Sequence, residues 1–267
     1  MADEIDDGAF APLLAELARL RASGRRGRFW LRDDDAVAPS APLDAFLALI
    51  DRYAVPATLA VIARDTGPEL ADRLARVSGV SVAVHGWAHQ NHAPEGAFRA
   101  ELGCDRSLAV VLAEARAGRE KLAGLHGARF LAVMVPPWNR IAPEVAAALP
   151  QAGYLAVSHG GRPVAGWGVA QVNTQVAPFN QRLRPVAEGV PAMVAQLCRW
   201  LGKSGDATVG INTHHQVLPG IAAAFLERLI RLTRERDLAD WVGLPALLAE
   251  RGAVPLNRPA GPPDRAA

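Results

Sequence analysis

Residues 28–35 read RFWLRDDD, Arg28 to Asp35: an apolar run that ends in three consecutive aspartates. A short apolar run with β-branched or aromatic residues suits a strand covered on both faces. Three acids at its end are costly unless something positive sits among them. The stretch therefore raises two questions, what fold the strand belongs to and what meets its carboxylates.

Outward from this strand the same alternation recurs. A helical pattern precedes it, FAPLLAELARLRA (10–22), and another follows, APLDAFLALIDRYA (41–54). Strand ATLAVIA (57–63), helix GPELADRLARV (67–77) and strand VSVAVH (80–85) come next. Then follow a long helix over 106–125, strand RFLAVMV (129–135), helix APEVAAALPQAG (142–153) and strand YLAVSH (154–159). A less regular part spans roughly 160–189 and contains AQVNTQV. The pattern resumes with helix VPAMVAQLCRWLG (190–202), strand ATVGINTHH (207–215) and helix 220–236. Strands joined by helical crossovers pair in parallel. About seven such units predict an α/β fold, a distorted (β/α)7-type barrel of parallel strands. One domain is expected over 1–252, with a flexible Pro-rich tail at 253–267.

Composition bounds the function. The chain has 267 residues, half of them hydrophobic, and a formal net charge of +2. That balance predicts neither a nucleic-acid nor a membrane partner. The basic stretch RLRASGRRGR (19–28) lacks aromatic interleaving and reads as a solvated helix end. The acidic N-terminus has no signal-peptide pattern, and no apolar run reaches the length of a spanning helix. Cys104 and Cys198 match no metal or redox spacing. A cytoplasmic location is the expectation.

The polar residues sit at strand ends: Asp33–Asp35, His85, the run Pro136–Asn139, His159, and the pair His214 and His215. In a parallel barrel these ends converge on one face, where active sites are built. His85 and His89 are four apart, within HGWAHQNH, and both rings can reach one ion. A nearby carboxylate completes a two-histidine, one-carboxylate set with positions open for water and substrate.

At these residues the chain resembles the polysaccharide deacetylases of carbohydrate esterase family 4. LRDDDA resembles their TFDDG motif, HGWAH their H-[ST]-x-x-H with Gly86 at the hydroxyl position, VPPWN their R-x-P-[YF], and NTHH their late L-x-H. The resemblance implies a metal-dependent hydrolase, usually a zinc enzyme, that removes an acetyl group from an N-acylated saccharide. It implies Asp35, His85 and His89 as ligands, Asp34 as base and His214 as acid. A metal-bound water is then the nucleophile, its pKa lowered from about 16 toward 7. The other register of the aspartates makes Asp33 the base and Asp34 the ligand. The resemblance also implies that the backbone N–H of Trp138 serves the oxyanion, and Pro137, Trp87 and His159 are the expected pocket residues. His92 reads as support for the ligands. Trp30, Trp200 and Trp241 read as core.

Two departures stand out. Val135 takes the place of the arginine that orients the base, with Arg140 the nearest substitute, and no D-x-x-D-W motif is found. The expected substrate is a soluble saccharide or small N-acyl molecule, with the oligomeric state open. Hydrolysis of a cyclic amide or ureide is the enzymatic alternative, and a non-catalytic saccharide-binding relative is the other.

Overall fold

The computed structural model describes residues 5–178, 189–203, 205–218 and 220–253. The expected Pro-rich tail, from 254 onward, lies outside the described residues. Strands β1 (Gly27–Ala36), β2 (Ala57–Val61), β3 (Val80–Val84), β4 (Phe130–Met134), β5 (Ala156–Val157), β6 (Ala170–Gln171), β7 (Thr208–Thr213) and β8 (Ala239–Trp241) form one sheet. Helices α1 (Ala11–Ala22), α2 (Ala41–Arg52), α3 (Pro68–Leu74), α4 (Leu108–His126), α5 (Pro143–Ala148), α6 (Gly189–Lys203), α7 (Ile221–Glu235) and α8 (Leu244–Glu250) accompany them. Every paired strand runs parallel, in the order β6-β5-β4-β3-β2-β1-β7, and β8 adds to the first residues of β1.

The sheet curls into the expected distorted barrel. Closure does not come from a regular strand. The segment after β6 pairs Thr174 with Gly160 and then Val176 with Ile211 of β7. The Gly210 carbonyl accepts from Gln175 N at 2.8 Å and Val176 N at 3.1 Å, and the Gln175 side chain accepts the Gly210 N–H. This stretch lies within the part that reads as irregular, because two-residue ladders leave no alternation to detect.

Helix starts follow their sequence signals. Ser40 caps α2 by accepting from Leu43 N, with Pro42 in the first turn, and Ser107 caps α4 by accepting from Val110 N. Two apolar layers result. Trp30, Ala60, Ala83, Val133, Ala156 and Val172 from successive strands pack with Leu244, Leu247 and Leu248 of α8 inside the barrel. Outside, the strands pack on α1–α7 through residues such as Phe29, Leu59, Val82, Leu112 and Leu229. Trp30 and Trp241 are buried, as expected of core residues, and Trp200 is partly so. Neither β8 nor α8 is visible in the sequence pattern: Asp240 interrupts one and the other is only seven residues long.

Gly210 marks the tightest point of closure. A β-carbon there would lie 2.6 Å from the Asn173 carbonyl oxygen and 2.8 Å from Thr174 Cα, both backbone atoms that cannot swing away. Gly210→Ala should lower the unfolding free energy by about 1–3 kcal/mol, the usual cost of overpacking. Urea denaturation of the two proteins measures it, and an unchanged midpoint would refute this account of closure.

Candidate active site

The aspartate-bearing end of β1 opens among the other strand ends. Alternation along a strand sends consecutive side chains to opposite faces, so three aspartates cannot share one site on a regular strand. Here the ladder with β2 slips between Asp33 and Ala36, and Asp35 takes a left-handed φ of 69°. Bulges re-aim side chains in this way, and aspartate tolerates the left-handed region better than most residues. Each carboxylate consequently has its own surroundings.

Asp35 meets the histidines. Its Oδ1 lies 3.0 Å from His85 Nε2 and 3.4 Å from His89 Nε2, and its Oδ2 lies 3.8 Å from His214 Nε2. One donor atom each from Asp35, His85 and His89 falls within a common 4.8 Å sphere of mutual distances. His85 is buried and its Nδ1 lies 3.0 Å from the Val135 carbonyl oxygen, which can only accept. That bond places a proton on Nδ1, so that in the neutral ring Nε2 carries the lone pair, the tautomer of a ligand histidine. Asp35 Oδ1 is buried between the two imidazoles. Lone pairs converging on one point fit a cation between them. Burial opposes ionisation of Asp35, but His85, His214 and His89 outweigh it and hold the carboxyl well below the usual range.

His85 and His89 stand in the loop after β3, and this loop is built around a buried glutamate. Glu101 accepts from the backbone N–H groups of Trp87 at 3.2 Å, Ala88 at 2.7 Å and His89 at 3.1 Å. Burial pushes its carboxyl upward, against the pull of those donors and of His85. Gly86, at φ 63°, leaves the room it needs: a β-carbon there would collide with Glu101 Oε2 and Pro137. His89 itself is left-handed, φ 52°, and its ring lies 4.3 Å from that of Trp138. Trp138 is also left-handed, φ 55°, and buried Pro137 precedes it. The Trp87 side chain leans on the outer core.

Asp34 is held differently. Arg32, two residues earlier on the same face of β1, donates Nε to Oδ1 at 2.8 Å and Nη2 to Oδ2 at 2.9 Å. Asn212 of β7 donates to Oδ2 at 2.8 Å. The guanidinium is fully buried and is itself fixed by Ser158, through carbonyl and hydroxyl at 2.8 Å each, and by Asn139 Oδ1 at 3.1 Å. Burial works to raise the Asp34 pKa, but Arg32 above all, with His85 and His214, holds it below the ordinary value. The expected substitute arginine is therefore corrected. Arg140 points away, donating to the Arg99 carbonyl and lying over Phe98, and Arg32 takes the position beside Asp34.

Asp33 meets neither group. Its Oδ1 lies 2.5 Å from His215 Nδ1 and its Oδ2 accepts from Thr213 Oγ1 at 2.7 Å. His159 is buried, with Nε2 near Gln171 and Asn173 and its ring against Trp167. His92 stands outside the histidine set, its backbone N–H on Ala100. Sequence reading missed Arg32, Glu101 and Asn212 as site residues. Arg32 alone left a trace, an arginine inside a buried apolar strand.

Arg32→Met should cost about 3–5 kcal/mol at pH 7, because it strands a buried carboxylate. Without Arg32, burial raises the Asp34 pKa above its unfolded value, so the deficit should grow as pH rises from 4 to 7. Thermal melts across that range test it; a pH-independent deficit would contradict the ion pair.

The polysaccharide deacetylase family model matches residues 27–157. The solved structures similar to this chain include three of particular use. A Mycobacterium smegmatis structure assigned to the polysaccharide deacetylases shares 17% identity at TM-score 0.62, over 85% of this chain and 90% of its own. A family 4 acetyl xylan esterase from Clostridium thermocellum, with a cobalt ion, shares 18% at 0.56, over 85% and 93%. A peptidoglycan deacetylase from Bacillus subtilis shares 16% at 0.55, over 85% and 92%. No curated protein sequence matches the chain. No helix among the described residues is long and apolar enough to cross a membrane.

Proposed function

Because the chain belongs to the polysaccharide deacetylase superfamily, we propose that it is a metal-dependent hydrolase that removes an acetyl group from an N-acylated saccharide. The observation that carries this reading is the convergence of Asp35 Oδ1 on the Nε2 atoms of His85 and His89, with the ionised Asp34 carboxylate next to it in the chain. Asp35, His85 and His89 hold one divalent ion, and two imidazoles with a carboxylate suit zinc. When bound, the ion supplies Lewis acidity toward water and the acyl oxygen.

Asp34 accepts a proton from water as its oxygen bonds to the acyl carbon. Arg32 and Asn212 keep the carboxylate ionised and aimed. The backbone N–H of Trp138 stabilises the oxyanion. His214, on the far side of Asp35, gives a proton to the saccharide nitrogen as the C–N bond breaks and its electron pair stays on nitrogen. The products are acetate and a free amine. Pro137, Trp87 and His159 are the proposed pocket residues.

Two measurements test this. Purified protein should carry about one divalent ion per chain, and the double variant His85→Ala/His89→Ala should lose it; full metal content in that variant would remove the site. Asp34→Asn should keep the ion but lower acetate release from N-acetylglucosamine oligomers by about 100-fold or more. Loss of the ion in Asp34→Asn would shift the ligand from Asp35 to Asp34. Turnover of a cyclic ureide without acetate release would replace the saccharide reading.

A further inference from the structure

Asp33 and His215 are buried, polar and unused by the reaction just described. Asp33 is fully enclosed and His215 nearly so, yet an apolar pair would fill this space without desolvating a carboxylate. In the motif that β1 resembles, the position of Asp33 is held by an aromatic residue.

The contacts explain the exchange. Ladder pairing between β1 and β7 ends at Asp33 and Thr213. His214 follows in extended conformation, φ −138° and ψ 104°, and a 3-10 turn begins at His215. His214 is thus the single residue between strand and turn. The Asp33 carboxylate grips both of its neighbours, Thr213 through Oδ2 and His215 through Oδ1. Two anchors on one carboxylate fix the backbone on either side of His214, and with it the direction in which its ring points toward Asp35.

We infer that Asp33 and His215 are positioning residues that hold the His214 imidazole in the site, acting through the backbone that flanks it. The inference rests on the hydrolytic reading for what His214 does there, but the placement of the ring can be measured without turnover.

His215→Phe keeps the ring shape and removes the Nδ1 donor; His215→Asn keeps a donor near that position. Thr213→Val removes the other anchor at almost no change in volume. In His215→Phe, kcat for an N-acetylated saccharide should fall about 100-fold, the scale of a lost general acid. KM and bound metal should stay unchanged. Hydrolysis of 4-nitrophenyl acetate should fall by about threefold at most, since its leaving group departs without protonation. His215→Asn should restore most of the amide activity, and Thr213→Val should show the same selective loss to a smaller degree. Equal losses on amide and aryl ester, or full amide activity in His215→Phe, would overturn the inference. A crystal structure of His215→Phe or, if that variant does not fold, of Thr213→Val gives the independent readout. The His214 ring should leave its place 3.8 Å from Asp35 Oδ2; an unmoved ring refutes the positioning role even if the wild-type protein hydrolyses neither substrate.

Discussion

Three neighbouring carboxylates can be enclosed at one strand end only if each finds its own compensation. An ionised carboxylate without a partner is among the most expensive things a fold can enclose. The end of β1 meets this constraint three times over, by sending Asp33 to the β7 turn, Asp34 to an arginine on its own strand and Asp35 to the histidine loop. The slip in the β1–β2 ladder and the left-handed Asp35 allow adjacent residues to serve separate partners. Most of what is polar in the barrel mouth is arranged around those three destinations.

The arrangement also distributes rigidity. Arg32 is held by Asp34, Ser158 and Asn139, so the ends of β1, β5 and β7 and the turn after β4 share one buried cation once Asn212, through Asp34, is included. A flat guanidinium fork suits this better than lysine, since its donors lie in fixed directions. The histidine loop has its own centre in Glu101, which ties three successive amides and fits only because residue 86 lacks a β-carbon. Both networks lie one layer behind the groups proposed to react, where preorganisation is set.

How much of this was legible follows from what is local. Strand and helix periodicity are local, so the α/β barrel and the gathering of β1, β3, β4, β5 and β7 ends could be read from patterns. His85 and His89 were legible for the same reason, four residues apart at a strand end. The partner of Asp34 is not legible in the same way: the motif puts an arginine at the β4 end, whereas an arginine two residues upstream becomes a partner only when both side chains share a face of a buried strand. Glu101 and Asn212 left no signal: their partners are set by loop conformation and by a strand 178 residues away. β6 and β8 were too short for any period, although the first leads into the segment that closes the barrel.

The pairing of β1 with β7 carries a consequence for biogenesis. β1 leaves the ribosome well before β7, with some 170 residues made between them. Until β7 arrives, Asp34 lacks Asn212 and Asp33 lacks both Thr213 and His215. The growing chain cannot enclose this end of β1 without stranding charge, which keeps the nascent barrel open and its first strand hydrated. Contacts of such long sequence separation form late and slowly. The polar cluster thus ties the enclosure of β1 to the arrival of the segment that bears His214.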